Sequence, residues 1–150
     1  MEVFRLSKAQ YASDLTGTGA KLAGGRWNRA GVAVLYTSSS RALATLEVLV
    51  HIPAFYVPFD YVLSSIWIPD DSIQVLDIKL LPADWQNLTP PQNLQTQTED
   101  WLKSKTYLAL KVPSAIVQGE YNYLINPFQA DFAQIKLLHQ EPYRFDPRLI

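Results

Sequence analysis

The chain has 150 residues, 48% hydrophobic and 18% charged, which is typical of one globular domain, so we expect a single domain over residues 1–150. Its formal net charge of −1 argues against direct nucleic-acid binding, which favours a strongly basic domain. The absence of cysteine, of an apolar N-terminal segment and of a long apolar run predicts a cytoplasmic protein without disulfides, a metal site or membrane contact.

The first clear elements are a strand over Val32–Thr37 and a helix over Ser38–His51. The strand residues are β-branched or aromatic, which favours a sheet. In the helix, Ser39 or Ser40 is suited to be the N-cap. The apolar residues Leu43, Leu46, Leu49 and Val50 are predicted to form the side of the helix that faces the core.

Strand patterns dominate the rest of the chain. They cover Tyr61–Pro69, Ile73–Leu81, Ser114–Gly119, Asn122–Pro127 and Phe132–Gln140. A surface loop is predicted over Leu88–Thr98 because of its two prolines. A second helix is predicted over Thr96–Val112, with Thr96 and Glu99 as a capping box. Few helices and many strands, without regular alternation, predict an α+β fold.

One carboxylate falls beside the apolar stripe of the first predicted helix. At about 100° per residue, Glu47 lies about 40° from Leu43, on the flank of that stripe. Burying a carboxylate is unfavourable by several kcal/mol unless it is paired or hydrogen-bonded. Glu47 therefore either reaches the edge of the stripe, pairs with an arginine such as Arg41, or lines a ligand cleft.

The segment before this helix adds an arginine and two aromatic residues. Gly24 and Gly25 let a ligand approach the main chain. Arg26 offers a fork of donors suited to phosphate or carboxylate, and Trp27 and Tyr36 present flat faces. Because loop, strand and helix follow one another, these side chains can share a cleft, although a turn with a core tryptophan and tyrosine explains them equally. The first 51 residues hold six basic and three acidic side chains, which also suits a small anion.

Three stretches together resemble the RES-domain toxins. They are GTGAKLAGGRWNRAGVAVLYTSSSRALATLEVLVH at Gly17–His51, VPSAIVQGEYNYLINP at Val112–Pro127 and FDPRLI at Phe145–Ile150. They occur in the family's order and span most of the chain. One departure is Glu99, which stands where family members often have glycine, and for which we expect a local capping role.

The resemblance implies an ADP-ribosyltransferase-like fold, with a β-rich core, peripheral helices and an NAD-binding cleft. It also implies a toxin of a type II toxin–antitoxin system, neutralised by an Xre-like helix-turn-helix antitoxin protein. NAD would be its substrate, with no further cofactor. By motif position, the family's catalytic residues fall on Arg26, Tyr36 and Glu47, and its substrate-binding residues on Arg5 and Ser114.

The reaction that the resemblance implies is cleavage of the nicotinamide–ribose bond, through a transition state that resembles an oxocarbenium ion. Glu47 suits the ribose hydroxyls and the growing positive charge. Arg26, with Arg5, would hold the pyrophosphate, and Tyr36 would contact the nicotinamide–ribose end. Ser114 either hydrogen-bonds the ligand or satisfies the end of a strand.

The sequence does not specify the acceptor of the ADP-ribosyl group. Water gives a hydrolase, inorganic phosphate gives a phosphorylase, and a protein side chain gives a mono-ADP-ribosyltransferase. A catalytically inactive module that binds its antitoxin is a further alternative. The joint presence of Arg26, Tyr36 and Glu47 argues against it, and we expect the free protein to deplete NAD and arrest growth.

Overall fold

One mixed sheet of seven strands organises the chain, and the computed structural model describes all of residues 1–150. The strands are β1 (Glu2–Lys8), β2 (Leu35–Ser38), β3 (Tyr61–Trp67), β4 (Ile73–Val75), β5 (Ala109–Pro113), β6 (Tyr121–Ile125) and β7 (Lys136–Tyr143). The α-helices are α1 (Thr18–Ala23), α2 (Arg41–Leu49) and α3 (Gln92–Ser104). The strand order is β4-β5-β6-β2-β1-β3-β7, and only β4 and β5 are parallel neighbours. This architecture confirms the predicted α+β class.

The sheet opens between its two central strands. β1 pairs with β3 along its whole length, and β2 does the same with β6. Between β1 and β2, by contrast, only Phe4 and Ser38 are paired. The two strands therefore separate beyond this pair, and their unpaired edges become available as walls of a cleft.

Two helices cover the same face of the sheet, on either side of this opening. Leu6 and Leu63, register partners on β1 and β3, pack with Ala44 of α2. Leu110 and Leu124, register partners on β5 and β6, pack against α3. The opposite face carries a separate cluster that includes Val3, Leu35, Ile66 and Ile125. The space between α2 and α3 therefore lies over the part of the sheet where β1 and β2 separate.

The first predicted helix is confirmed as α2, but its buried side differs from the prediction. Ser40 is the N-cap, and its side chain accepts a hydrogen bond from the Leu43 N–H at 3.0 Å. Leu43 and Ala44 are buried, whereas Leu46 and Val50 are 38% and 53% exposed. The small Ala44 packs onto the sheet with Leu6 of β1, so the helix turns Leu46 and Val50 outward. The predicted burial of these two residues is therefore wrong.

The second helix begins and ends earlier than predicted. α3 starts at Gln92, directly after two prolines, and ends at Ser104. Thr96 and Glu99 consequently lie inside the helix, so the predicted capping box is wrong. The loop predicted over Leu88–Thr98 is confined to the residues before Gln92, since a helix tolerates proline at its start but not in its interior.

The chain around Ser114 also differs from the prediction. The residues up to Val112, expected in the second helix, include most of β5. The strand predicted over Ser114–Gly119 is a turn instead. Its cause is local, because the Ser114 hydroxyl accepts hydrogen bonds from the backbone N–H groups of Ile116 and Val117 and so bends the chain.

The remaining differences concern strand ends. The strand predicted over Ile73–Leu81 stops at Val75, because Asp77 caps a short 3₁₀-helix by accepting from the Lys79 N–H at 2.9 Å. The strand predicted over Phe132–Gln140 appears four residues later as β7, and β1 has no predicted counterpart. The other predicted strands overlap β2, β3 and β6. None of the helices has the length and apolar character that crossing a membrane requires.

Candidate functional site

A cleft of about 1420 Å³ opens between α2 and α3, over the split in the sheet. Its walls come from β1, β2 and α2, from the loop around Gly24–Arg29, and from the segment that leads into α3. The charged side chains along it are three arginines and one glutamate, namely Arg5, Arg26, Arg29 and Glu47. This volume is above the range of about 300–1000 Å³ that is typical of small-molecule sites.

Glu47 lies half-buried on the cleft wall, with one oxygen bound and one free. Its Oε1 accepts hydrogen bonds from Ser114 Oγ at 2.8 Å and from Asn122 Nδ2 at 2.5 Å. Its Oε2 has no hydrogen-bond partner and forms no ion pair within the chain, and it is not among the buried unpaired atoms. Arg41, the partner considered from the sequence, pairs with Glu141 instead. The carboxylate is therefore stabilised by neutral donors and stays open to the cleft.

Ser114 lies behind Glu47 and does not line the cleft. It is 2% exposed, and its hydroxyl oxygen accepts from the Ile116 and Val117 N–H groups at 3.1 Å each. Its single hydrogen goes to Glu47, so the hydroxyl has no hydrogen-bonding capacity left. Of the two roles considered from the sequence, the contacts of Ser114 fit the structural one, since it satisfies the turn after β5 and the Glu47 carboxylate; a contact with a substrate stays a prediction.

Asn122 is a residue of the site that the sequence analysis missed. It lies on β6 and lines the cleft; besides its bond to Glu47, its Oδ1 accepts from Ser38 Oγ at 2.8 Å. The available signal was the N-x-L-x-N-P pattern in the second family-like stretch, of which Asn122 is the first asparagine.

Tyr36 holds the glycine-rich loop beside the cleft. Its hydroxyl donates to Asn28 Oδ1 at 2.7 Å and accepts from the Trp27 N–H at 3.1 Å. A Cβ atom at Gly25 would come within 2.8 Å of this hydroxyl, so the loop can approach Tyr36 only with glycine there. Burial raises the pKa of the Tyr36 phenol well above its ordinary value, and the hydrogen bonds and the charge of Arg26 offset only part of this effect. The phenol is thus neutral at physiological pH.

Arg26 lies close to both other predicted catalytic residues. Its Nη1 donates to the carbonyl oxygens of Trp85 and Asn87, at 2.5 and 3.0 Å, and so ties the segment before α3 to the cleft. Burial lowers the pKa of Arg26, and electrostatic interaction with the Glu47 carboxylate, and to a lesser extent with the Tyr36 phenol group, opposes that shift. Its Nε and Nη2 have no partner in the chain and remain available as donors. The structure therefore brings Arg26, Tyr36 and Glu47 together along one cleft.

Arg5 reaches the cleft from β1. Its Nη1 donates to the carbonyl oxygen of Tyr11 at 3.0 Å, and burial lowers its pKa, opposed by the charge of Asp14. It adds a second guanidinium to the same cleft, and its role in substrate binding stays a prediction.

Helix α3 fastens the loop that carries Arg26. Arg29 forms an ion pair with Glu99 at 3.2 Å and donates to Thr96 Oγ1 at 3.1 Å. One turn earlier, Gln95 Nε2 donates to the carbonyl oxygens of Gly25 and Asn28. Glu99 thus joins the helix to the cleft loop, and the capping role expected for it is wrong.

Comparison with known proteins gives a consistent result. The model of the RES domain matches residues 2–146. A protein called Toxin Res from Photorhabdus laumondii is 39% identical, with 100% of this chain and 97% of that protein covered. A second Toxin Res, from Yersinia enterocolitica, is also 39% identical, with 99% of both chains covered. A protein called Prs ADP-ribosylating toxin, from a Sphingobium species, is 39% identical over 96% of this chain and 91% of its own.

The fold is shared with a solved structure. A chain of the crystal structure of the M. tuberculosis MbcT–MbcA toxin–antitoxin complex superposes with a TM-score of 0.77 at 19% identity. The superposition covers 95% of this chain and 84% of that chain. At this identity the likeness establishes a common architecture.

Proposed function

The chain belongs to the RES-domain family, and on that premise we propose that it is a toxin that degrades NAD by cleaving the nicotinamide–ribose bond, by hydrolysis or phosphorolysis, and so arrests growth. Membership of the family confirms the resemblance inferred from its motifs. The proposed partner is an Xre-like helix-turn-helix antitoxin; the toxin–antitoxin complex with the same fold supports the existence of such a partner.

The observation that carries the proposal is the half-satisfied carboxylate of Glu47. Its Oε1 is held by Ser114 and Asn122, while Oε2 is unbound in a cleft that contains no other acidic side chain. A carboxylate held in this way is suited to stabilise positive charge that develops on a substrate.

The charges along the cleft match those of NAD. Two guanidinium groups of the cleft, those of Arg5 and Arg26, form no ion pair within the chain and complement the two negative charges of a pyrophosphate. Glu47 complements the cationic nicotinamide riboside end. A partly buried site strengthens both attractions relative to water.

The chemistry follows from these groups. As the C–N bond breaks, its electrons pass to the nicotinamide ring, which leaves neutral and needs no proton. The ribose acquires oxocarbenium character, which the Glu47 carboxylate stabilises. Arg26 holds the pyrophosphate with its free Nε and Nη2, and the neutral Tyr36 offers a ring face to the nicotinamide–ribose end. Water then bonds to the anomeric carbon and releases one proton to the solvent, or an ionised oxygen of inorganic phosphate bonds to the same carbon.

A second candidate, a mono-ADP-ribosyltransferase that modifies a cellular protein, is favoured by one observation. The Sphingobium relative, at 39% identity, carries the name Prs ADP-ribosylating toxin. The same cleft and bond cleavage serve this reaction, and only the acceptor differs.

Product analysis distinguishes the candidates. Purified protein is incubated with NAD, with and without inorganic phosphate, and with a cell extract that contains acceptor proteins. Free ADP-ribose indicates hydrolysis, a phosphorylated ADP-ribose indicates phosphorolysis, and label transferred to a protein indicates the transferase. Intact NAD in all three mixtures, together with tight binding of an antitoxin, would contradict both enzymatic proposals.

A further inference from the structure

The carboxylate of Glu47 accepts a hydrogen bond from Asn122, whose own orientation is fixed by a neighbouring serine. We propose that Ser38 and Asn122 form a positioning pair that holds the Glu47 carboxylate with Oε2 toward the cleft, Asn122 as donor and Ser38 as the residue that orients it. The effect of this pair on catalysis rests on the proposed function, whereas its hold on the Glu47 carboxylate does not.

The hydrogen-bond pattern allows the Asn122 amide only one orientation. Its Oδ1 accepts from the Ser38 hydroxyl at 2.8 Å, which leaves Nδ2 to donate to Glu47 Oε1. If the amide were reversed, two acceptor oxygens would face each other at Glu47. Ser38 and Asn122 are 4% and 7% exposed, so water offers little compensation for such a mismatch.

The pair belongs to the most constrained part of the sheet. Ser38 and Asn122 are register partners on β2 and β6, and Ser38 is also the single point at which β2 pairs with β1. Glu47, by contrast, projects from α2 on a side chain with three rotatable bonds. The pair therefore fixes a flexible helix side chain to the sheet at the point where the cleft opens.

The hydrogen bond from Ser114 to the Glu47 carboxylate does not replace the one from Asn122. Ser114 also donates to Oε1, and both lone pairs of that oxygen are then used. Oε2 is left for a ligand as a result. Loss of the Asn122 bond frees Oε1 and lets the carboxylate turn about its remaining contact.

Arg26 shows what the pair prevents. Glu47 is close enough to influence the pKa of Arg26, yet the two side chains form no ion pair. A freely rotating carboxylate next to a guanidinium would close onto it, and both groups would then be unavailable to a substrate. The neutral donors keep the two charges apart and accessible.

Kinetics of nicotinamide release from NAD test the catalytic consequence. We expect Asn122→Ala to lower kcat about a hundredfold and Ser38→Ala about tenfold, with KM changed less than about threefold, because the carboxylate is misplaced while the arginines are intact. Ser38→Thr keeps the hydroxyl and is expected to retain more kcat than Ser38→Ala. A loss confined to KM would overturn the proposal.

Ser72→Ala is the matched control. The Ser72 hydroxyl is buried, donates to the Asp131 carboxylate at 2.7 Å and accepts from the Leu108 N–H, outside the cleft. Like Ser38→Ala, the Ser72→Ala substitution removes a buried serine hydroxyl, and we expect it to change kcat by less than about twofold. Equal losses of kcat in Ser72→Ala and Ser38→Ala would mean general loosening and would contradict a positioning role.

A spectroscopic readout separates this inference from the proposed function. In ¹⁵N-labelled protein, the side-chain amide signals of Asn122 are expected to move in Glu47→Gln, and to move or double in Ser38→Ala. Signals that do not respond to Glu47→Gln overturn the positioning pair. Responding signals in a wild-type protein that leaves NAD intact would support the pair and reject NAD cleavage.

Discussion

Ser114 Oγ donates to Glu47 Oε1 over 2.8 Å, across 67 residues of sequence. Ser114 follows β5 directly, and Glu47 lies in the second half of α2. Because two backbone N–H groups occupy the lone pairs of the hydroxyl, its hydrogen has a fixed direction. The turn after β5 and the helix after β2 are thus joined at a single carboxylate, and the geometry of that carboxylate depends on both.

Replacing Glu47 by glutamine tests the proposed role of its charge. Glu47→Gln keeps an oxygen that accepts from Ser114 and Asn122, so we expect the stability to change by less than about 1 kcal/mol. The group facing the cleft becomes a neutral amide, and we expect nicotinamide release to fall at least about a hundredfold. Growth arrest on expression is expected to disappear with it.

Glu141→Gln serves as the control for removing an acidic group. Glu141 pairs with Arg41 on the surface and does not line the cleft. Nicotinamide release from this variant is expected to match the wild-type rate. Similar rates for Glu47→Gln and the wild-type protein would remove the basis of the proposed mechanism.

Local sequence patterns predicted the parts of the site that local forces determine. The Ser40 cap, the α2 helix and the position of Glu47 on its flank depend on residues within one or two turns. The convergence of Arg26, Tyr36 and Glu47 was one of two interpretations that the packing of consecutive elements allowed, and the resemblance to the RES-domain toxins favoured it. These predictions needed no knowledge of the distant parts of the chain.

The contacts between distant segments could not be predicted in the same way. Asn122 reaches Glu47 over 75 residues, and Arg26 reaches Trp85 over 59. The side of α2 that is buried depends on the packing of Ala44 against Leu6. The helical periodicity of the sequence does not predict this contact. Such pairings are set by the register of the sheet and by packing.

Arg26→Lys tests the fork of donors in the cleft. Lysine donates from one nitrogen, whereas Arg26 binds the Trp85 and Asn87 carbonyls through Nη1 and keeps Nε and Nη2 for a phosphate, so we expect KM for NAD to rise about tenfold or more in Arg26→Lys. The backbone amides of Trp85 and Asn87 are expected to exchange hydrogen faster, because their segment loses its tether. Mass spectrometry of hydrogen exchange measures this together with the kinetics.

Arg148→Lys is the comparison for Arg26→Lys. Arg148 is exposed and pairs only with Asp146, near the C-terminal end. Neither KM nor exchange in the segment before α3 is expected to change. An Arg26→Lys protein with wild-type KM would argue against pyrophosphate binding by this guanidinium.

Glu99→Gly examines the departure from the family pattern. The substitution removes the ion pair with Arg29 and places glycine inside α3. We expect the free energy of unfolding to fall by about 1–2 kcal/mol, about 1 kcal/mol from the glycine and up to about 1 kcal/mol from the partly exposed pair. Urea denaturation measures the change.

Two further variants separate these contributions. Glu99→Gln keeps the helix propensity and loses only the ion pair, so its deficit is expected to stay below about 1 kcal/mol and to shrink in high salt. Asp100→Asn, the exposed neighbour with no ion pair, is expected to stay within about 0.5 kcal/mol of the wild-type protein. A deficit of Glu99→Gln that persists in high salt would contradict the assignment to an ion pair.

The buried phenol of Tyr36 predicts a specific dependence of stability on pH. Because burial raises its pKa above the ordinary value near 10, the folded protein keeps the proton at a pH where the unfolded chain releases it. This group therefore contributes no pH dependence below about pH 10, and above that pH it lowers the stability by up to about 1.4 kcal/mol per pH unit.

The variant Tyr36→Phe has no ionisable phenol at this position and therefore lacks that dependence on pH. At neutral pH, however, it is expected to be less stable by about 1–3 kcal/mol, because Trp27 N–H and Asn28 Oδ1 lose their partner. Urea unfolding of both proteins between pH 7 and 11 should then show stabilities that differ at neutral pH and converge as the pH rises. A constant difference across this range would mean that the folded protein releases the Tyr36 proton as easily as the unfolded chain, and that the loop around Gly25 does not shield the phenol from water.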